Sequence, residues 1–258
     1  MTRLASVWLL ATDHSGELVD RLAELLDEPE RARAAAIAEA GVHAEFVVSH
    51  AATRLILAEL LGVPPAALRW RHGRSGKPQL AEPDTDLQVS LSHSDGLAAL
   101  AVSSGFPVGV DVQARRGATG LVRMAERYYP ADEARFVAAA ADPAEAGRRF
   151  GMLWARKEAC AKVGGGRLIP ALAWPSRQPA DPDSADPDGP FLSGDPVTGN
   201  RVLIRDLAVP AGFCGAVAMA GGADFQVVSR WWAPEAARLA PPPQPPAQIG
   251  VPMAVSGC

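Results

Sequence analysis

The first part of the chain begins with a short apolar run and continues into a long stretch rich in Ala, Leu, Glu and Arg. The apolar run Ser6–Ala11 predicts a first strand. The stretch Gly16–Leu61 predicts several helices, because it is composed mainly of helix-forming residues. Its last helix, about Ala44–Leu61, is expected to end at Gly62, since a glycine followed by prolines is a strong helix stop.

Predicted strands then alternate with a second helical region. Short apolar segments bounded by turn residues predict strands at Leu68–His72, Leu87–Ser92, Leu97–Ser103 and Pro107–Gln113. A second helical region is expected from about Thr119 to Gly164, broken near Pro130 and Pro143. Three further strands are predicted at Arg201–Leu207, Phe213–Met219 and Phe225–Trp231.

The order of the predicted elements is strand, helices, strands, and then strand, helices, strands again. This order predicts an α+β fold made of two α/β halves of similar plan, over residues 1–105 and 106–232. Two segments have too little apolar surface to form elements of their own. The segment 178–196, rich in Pro, Asp and Gly, is expected to be a surface loop, and the proline-rich segment 233–258 a mostly disordered tail.

Composition and charge argue against several classes of protein. No stretch approaches the roughly 20 uninterrupted apolar residues that a membrane span requires, and the start of the chain lacks the pattern of a signal peptide. The odd number and wide spacing of the cysteines argue against a disulfide framework and favour the reducing cytoplasm; they are Cys160, Cys214 and Cys258. A net charge of −4 gives no reason to expect nucleic-acid binding.

Polar and apolar residues alternate strictly in the segment Pro107–Gln113. Its three valines are expected to face the core, which directs Asp111 and Gln113 together to the opposite face. A carboxylate and an amide oxygen two residues apart on one strand face can both bind a hard cation such as Mg²⁺. The pattern is equally compatible with a solvated polar face.

The segment Trp154–Lys162 predicts a helix on which Trp154, Glu158 and Lys162 share one face. An ordinary surface ion pair explains the spacing of Glu158 and Lys162, and so does a site that needs both charges. Of 25 basic residues in the chain only three are lysines, namely Lys77, Lys157 and Lys162. Lysine in an arginine-rich chain indicates positions where a compact ammonium suits better than a planar guanidinium.

Two further segments contain residue types that bind anions. Ser92 and His93 lie beside a predicted hairpin, and neighbours on a strand face opposite ways, so they cannot form a local nucleophile–base pair. His93 is then either a structural residue or, with Ser92, a phosphate ligand. The segment Arg69–Pro78 contains four cations and no acid, which is typical of a solvated basic loop and compatible with a polyanion site.

In their order and spacing these motifs resemble one family, the Sfp-type 4'-phosphopantetheinyl transferases. The resemblance is carried by Gly76-Lys77-Pro78, by Ser90-Leu91-Ser92-His93-Ser94, by Gly109–Val112, and by Trp154–Ala159 with Lys162 and Gly165. It covers roughly 30–168 well and the final strands only by pattern. It implies a pseudo-dimer of two similar α/β halves with coenzyme A in the cleft between them.

The resemblance also implies which residues form the site. Asp111 and Glu158 resemble the family's metal ligands, with Gln113 at a third position, and they would hold Mg²⁺ against the pyrophosphate. Lys162 resembles the lysine that assists the leaving phosphate, while Glu158 or Glu133 would accept the proton of the attacking serine. The residues expected to bind coenzyme A are Arg33, Arg54, Lys77, Ser92, His93, Lys157 and Lys162.

Two positions depart from the family pattern. Gln113 stands where many members have a second acidic residue, so a weaker neutral ligand or a water is expected there. Arg167 stands where a second glycine is usual, which changes the expected shape of the loop after the helix. Neither departure removes an expected catalytic group.

The resemblance implies an enzyme that moves the phosphopantetheine arm of coenzyme A to a serine of an apo acyl- or peptidyl-carrier protein. It is expected to act as a cytoplasmic monomer without nucleic-acid or membrane partners. One alternative is a relative that binds coenzyme A without transfer, which would have no reason to keep Asp111, Glu158 and Lys162 together. Another is a nucleic-acid-binding regulator that uses Arg69–Lys77, although the chain is acidic and lacks a helix-turn-helix pattern.

Overall fold

The computed structural model describes residues 3–73, 76–115, 120–165, 168–176, 191–194 and 201–234. The tail predicted at 233–258 lies outside the described residues from position 235 onward. The loop predicted at 178–196 also lies outside them, apart from Phe191–Gly194. The described elements follow the predicted order of strand, helices and strands, twice, which confirms the α+β fold.

Within these ranges the helices are α1 (Gly16–Ala23), α2 (Glu28–Ala35), α3 (Ala40–Leu61), α4 (Leu121–Tyr128), α5 (Ala131–Ala138), α6 (Pro143–Gly164) and α7 (Leu168–Leu172). The strands are β1 (Leu4–Ala11), β2 (Arg69–His72), β3 (Pro78–Glu82), β4 (Leu87–Ser94), β5 (Leu97–Ser104), β6 (Val108–Ala114), β7 (Phe191–Gly194), β8 (Arg201–Asp206), β9 (Phe213–Ala220) and β10 (Gln226–Trp231). In length and apolarity, no described helix meets the requirement for crossing a bilayer.

The described strands form two four-stranded sheets and a separate hairpin. The first sheet has the order β10, β1, β5, β4, the second has the order β6, β9, β8, β7, and β2 pairs with β3. Helix α3 lies against the first sheet and α6 against the second, and each of these helices has 22 residues. The two halves are therefore similar in plan, as expected of a pseudo-dimer.

Three strands differ from the sequence-based expectation. Strand β10 pairs in parallel with β1, so a segment assigned to the second half completes the sheet of the first half. Strands β3 and β7 were not predicted from the local pattern. Strand β3 forms against β2, and β7 forms where Phe191 is buried beside β8, so long-range pairing decides both.

The two sheets meet where β4 runs beside β6. Ser90, Ser92 and Ser94 alternate along β4, and their hydroxyl oxygens accept hydrogen bonds from three alternate N–H groups of β6 at 3.1, 3.3 and 3.1 Å. Because side chains alternate along a strand, Leu91 and His93 face the other way. The serines thus join the halves, while Leu91 and His93 are free to line a cleft.

Helix α6 lies directly against β6 because residue 109 has no side chain. A Cβ at Gly109 would lie 2.0 Å from the carbonyl oxygen of Ala159. The three valines of β6 are buried, as predicted, and Asp111 lies on the side of α6. Helix α6 ends at Gly165, which adopts the left-handed conformation that favours glycine.

The described cysteines, Cys160 and Cys214, are free and buried. Burial raises the pKa of the Cys160 thiol to about 12, so this thiol is unreactive near neutral pH. Cys160 packs among the apolar residues that lie between α6 and the second sheet, which is an ordinary core position for cysteine.

Candidate active site

A cleft of about 740 Å³ lies between elements of the first half and the end of α6. Its size is in the range of small-molecule and cofactor sites. The cleft is lined by four residues that the resemblance assigns to coenzyme A, namely Arg33, Lys77, His93 and Lys162. It is also lined by residues that the sequence analysis did not select, among them Glu30, His50 and Trp70.

Asp111, Lys162 and Ser92 form one hydrogen-bonded cluster beside this cleft. Asp111 Oδ1 accepts hydrogen bonds from Lys162 Nζ at 2.7 Å and from Ser92 Oγ at 2.7 Å, and Lys162 Nζ lies 2.9 Å from Ser92 Oγ. Asp111 Oδ2 is buried and has no hydrogen-bond partner among the described residues. A buried carboxylate oxygen without a partner is costly, so this atom is suited to a ligand.

Glu158 lies one helical turn before Lys162 and shares its electrostatic environment. Burial raises the pKa of Glu158, the negative charge of Asp111 raises it further, and Lys162 opposes both effects. Burial likewise raises the pKa of Asp111, against the effect of Lys162 and Ser92. A cation near these two carboxylates would offset both their burial and their mutual repulsion.

Gln113 lies two residues further along β6. Its Nε2 is 3.3 Å from the carbonyl oxygen of Ala114 and 3.5 Å from Ser94 Oγ. These contacts use the amide nitrogen. The amide oxygen remains as an uncharged potential ligand for a cation, on the same strand as Asp111.

Lys77 enters the cleft from the turn between β2 and β3. Its Nζ donates hydrogen bonds to the carbonyl oxygens of Val108 at 2.8 Å and Val163 at 3.3 Å, so it bridges β6 and α6. Burial lowers the pKa of Lys77 to about 8. Lys77 lines the cleft, and its two carbonyl contacts leave one N–H of the ammonium for an anion there.

His93 marks an electropositive part of the cleft. Its Nδ1 lies 3.3 Å from Glu45 Oε1. Burial lowers the pKa of His93, and the positive charges of His50, Lys162 and Arg33 lower it further. Positive groups from three different elements therefore converge near this imidazole, which favours an anionic ligand.

Asp111 and Lys162 of this cluster lie in a segment that is similar to known proteins. The sequence profile described as the 4'-phosphopantetheinyl transferase superfamily matches residues 107–193, which include Asp111, Glu158 and Lys162. The 4'-phosphopantetheinyl transferase HetI of Nostoc sp. (strain PCC 7120 / SAG 25.82 / UTEX 2576) is 28% identical over 161 residues, 62% of this chain and 68% of that protein. The putative 4'-phosphopantetheinyl transferase slr0495 of Synechocystis sp. (strain ATCC 27184 / PCC 6803 / Kazusa) is 26% identical over 205 residues, 76% of this chain and 81% of that protein.

Over residues 107–193 this chain is similar to the 4'-phosphopantetheinyl transferase superfamily, and it is similar over longer stretches to the two transferases above. The family resemblance inferred from the motifs is thereby confirmed.

Contrary to the sequence-based prediction, Lys157 does not line the cleft. Lys157 Nζ lies 2.6 Å from Glu133 Oε2, and both side chains are 0% exposed. The ammonium also donates to the carbonyl oxygen of Trp174. Burial lowers the pKa of Lys157, and the neighbouring Glu133 opposes this shift. Lys157 is thus a structural residue between α6, α5 and the end of α7.

The same ion pair places Glu133 outside the predicted metal site. Its Oε1 accepts hydrogen bonds from the backbone N–H of Ser176 at 2.5 Å and from Ser176 Oγ at 3.0 Å. Both oxygens of Glu133 are therefore committed to buried partners. The structure does not bring Glu133 together with Asp111 and Lys162.

Arg54, which the resemblance placed among the coenzyme A ligands, is also a buried structural residue. It is 1% exposed and does not line the cleft. Its guanidinium donates to Glu30 Oε2 at 2.6 Å, to Asp27, and to the carbonyl oxygens of Pro65 and Leu68 at 3.2 Å each. These bonds use four of the five N–H donors of Arg54, and they tie α2 to α3 and to the turn that follows α3.

Proposed function

We infer that this protein transfers the phosphopantetheine arm of coenzyme A to a serine of a carrier protein. The observation that carries the inference is the cluster of Asp111 and Lys162, with Glu158 one turn away, beside a cleft of cofactor size in a chain similar to this superfamily. The serine oxygen forms a bond to the phosphorus of the arm. The bond from that phosphorus to the nucleotide portion breaks, and 3',5'-ADP leaves with the electron pair.

We propose Mg²⁺ as the metal and Asp111, Glu158 and Gln113 as the residues that hold it. The fit is supported by the unpartnered Oδ2 of Asp111 and by a donor set made entirely of oxygen atoms. No three His, Cys, Asp or Glu side chains gather as metal ligands within the described ranges. This suits Mg²⁺, which keeps several waters and needs few protein ligands. When bound, the ion neutralises charge on the pyrophosphate.

Lys162 and Glu158 have complementary roles in this proposal. The ammonium of Lys162, held beside Asp111, stabilises the negative charge that develops on the departing phosphate. Glu158 accepts the proton of the serine hydroxyl, because its raised pKa brings it closer to the working pH of a general base. Glu133 is unsuited to this role since Lys157 and Ser176 occupy it.

The nucleotide end of coenzyme A is assigned to the electropositive part of the cleft. Arg33 and Lys77 present positive charge from α2 and from the hairpin turn, and the imidazole of His93 lines the cleft from β4. Ser92 is a positioning residue, because its hydroxyl donates a hydrogen bond to Asp111 and accepts one from the backbone N–H of Val112.

We propose that the protein acts as a monomer in the cytoplasm on an apo acyl- or peptidyl-carrier protein, without nucleic acid or membrane. The test is intact-protein mass spectrometry of carriers from fatty-acid, polyketide and peptide synthesis, incubated with the protein, Mg²⁺ and coenzyme A. At least one carrier should gain the mass of one phosphopantetheine group, with an equal amount of 3',5'-ADP released.

Three variants make this test specific. Asp111→Asn and Lys162→Ala should lose most transfer, whereas Asp20→Asn, at an exposed position on α1 outside the cleft lining, should keep it. Undiminished transfer by Asp111→Asn would contradict the assignment of Asp111 to the active site. Binding of coenzyme A without transfer to any carrier would favour the non-catalytic alternative, and a DNA mobility shift in place of both would favour the regulator.

A further inference from the structure

His50 lies on α3 in the wall of the cleft, and its ring is fixed in two ways. The ring stacks on Phe46, with centroids 4.0 Å apart and planes inclined by 24°. Its Nδ1 lies 3.2 Å from Glu30 Oε1. In the part of the chain that the structure describes, Nε2 has no hydrogen-bond partner. The imidazole is therefore held in place with one nitrogen left for a ligand in the cleft.

Glu30 is itself held firmly, which makes it a fixed support for this ring. Its Oε2 accepts hydrogen bonds from Arg54 Nε at 2.6 Å and from the backbone N–H of Asp27 at 3.1 Å. Burial raises the pKa of Glu30, but the hydrogen bonds from His50, Arg54 and Asp27 outweigh burial and lower it. A carboxylate held at Nδ1 in this way fixes the orientation of the His50 ring.

The charges around His50 favour an anion at its free nitrogen. The charged and titratable groups in this region are Asp27, Glu30 and Arg33 from α2 and its N-cap, Glu45 and Arg54 from α3, His72 and Lys77 from the hairpin, His93 from β4, and Lys162 from α6. Asp27 and Glu30 are already paired with Arg54, and Glu45 lies 3.3 Å from Nδ1 of His93. The cations Arg33, Lys77 and Lys162 line the cleft, and a phosphate would relieve their mutual repulsion.

We propose that His50 is a further contact for coenzyme A. The Nε2–H of His50 donates a hydrogen bond to the phosphate monoester on the ribose, and Glu30 is the positioning residue for His50. The proposal rests on the proposed function. The pyrophosphate is assigned to the neighbourhood of Asp111 and Lys162, so the monoester is the phosphate left for the region of Arg33 and His50. A phosphate monoester is largely a dianion at neutral pH and accepts strong charge-assisted hydrogen bonds.

The contact gives the enzyme a preference for coenzyme A over dephospho-coenzyme A, because only coenzyme A carries the phosphate monoester on the ribose.

Binding measurements with His50→Gln test the proposal, and His43→Gln is the matched control. His43 lies on the same helix, with Nδ1 2.9 Å from the carbonyl oxygen of Ala34, and does not line the cleft. Calorimetric Kd values would be measured for coenzyme A and for dephospho-coenzyme A. His50→Gln should weaken coenzyme A binding on the order of 10-fold, the value of one charge-assisted hydrogen bond.

The binding of dephospho-coenzyme A should be little affected by His50→Gln. Glu30→Gln should reproduce part of the loss for coenzyme A, with its melting temperature checked because Glu30 also binds Arg54. An unchanged Kd for coenzyme A in His50→Gln, or equal weakening of both ligands, would overturn the proposal. If either outcome is found while the unaltered protein binds coenzyme A and transfers its phosphopantetheine arm, only the role of His50 is refuted. If the unaltered protein binds neither coenzyme A nor dephospho-coenzyme A, the proposed function is refuted as well.

Discussion

Replacing Lys157 tests whether the two lysines of α6 have separate roles. Lys157→Met keeps most of the apolar stem and removes the ammonium, which leaves Glu133 without a counter-ion at a site where both side chains are 0% exposed. Breaking a buried ion pair in this way costs about 3–5 kcal/mol of unfolding free energy. For a chain of this size each kcal/mol lowers Tm by roughly 2–4 °C, so the expected decrease is roughly 6–20 °C.

Transfer activity should respond differently from stability. Since Lys157 does not line the cleft, the rate per folded molecule measured well below Tm should be nearly unchanged. Lys162→Met is the matched control on the same helix. Its side chain is 29% exposed, and its partner Asp111 keeps the hydrogen bond from Ser92, so Lys162→Met should lower Tm less than Lys157→Met does. It should lower the transfer rate on the order of 10–100-fold.

A double variant separates loss of charge from loss of packing. Lys157→Met with Glu133→Gln removes both charges, and the amide oxygen can still accept from Ser176. It should recover much of the lost Tm, which scanning calorimetry on the single and double variants would measure. A Lys157→Met protein with an unchanged Tm and a large loss of affinity for coenzyme A would refute this reasoning and restore Lys157 to the ligand set.

Three further predictions follow from single contacts. Burial lowers the pKa of Lys77 to about 8, so its charge is lost as pH rises through that value. In a pH–rate profile, kcat/KM for coenzyme A should therefore fall as pH rises through about 8, and the same fall should be absent from Lys77→Arg. Gly109→Ala should lower the unfolding free energy in urea titrations by at least about 1–3 kcal/mol, while Gly164→Ala, with open space around it, should not. Gln113→Glu should lower the Mg²⁺ concentration for half-maximal rate; an unchanged concentration would exclude Gln113 as a ligand.

The local pattern of apolar and polar residues was sufficient to predict an element wherever one face of that element is buried. The alternation in Pro107–Gln113 predicted a strand with buried valines, and the structure has β6 there with those valines in the core. Gly62 ends α3 as predicted. Strand β3 could not be predicted in this way, because it is short and mostly exposed and forms only through its pairing with β2.

The site was predicted in part, and the errors have a common physical cause. The motifs implied that Asp111 and Lys162 belong to one site, and the structure joins these two residues, far apart in sequence, by a direct hydrogen bond that the motifs did not predict. Lys157 and Lys162, five residues apart on a helix, project in directions about 140° apart, so they cannot serve one cleft. The compact ammonium expected at a ligand site proved equally suited to a buried pair with Glu133. The burial of Lys157 depends on α5 and on the residues just after α7, which lie outside the Trp154–Lys162 segment.

The serines of β4 explain why fold and site are difficult to separate in this protein. Ser90 and Ser94 each accept a backbone N–H of β6, which joins the two sheets. Ser92 does the same for Val112, and its hydroxyl also donates to Asp111 Oδ1. A hydroxyl both accepts and donates, so one serine can fix the strand and orient the carboxylate at once. The interface between the halves therefore positions Asp111, and the alternation of β4 directs His93 from the same strand into the cleft.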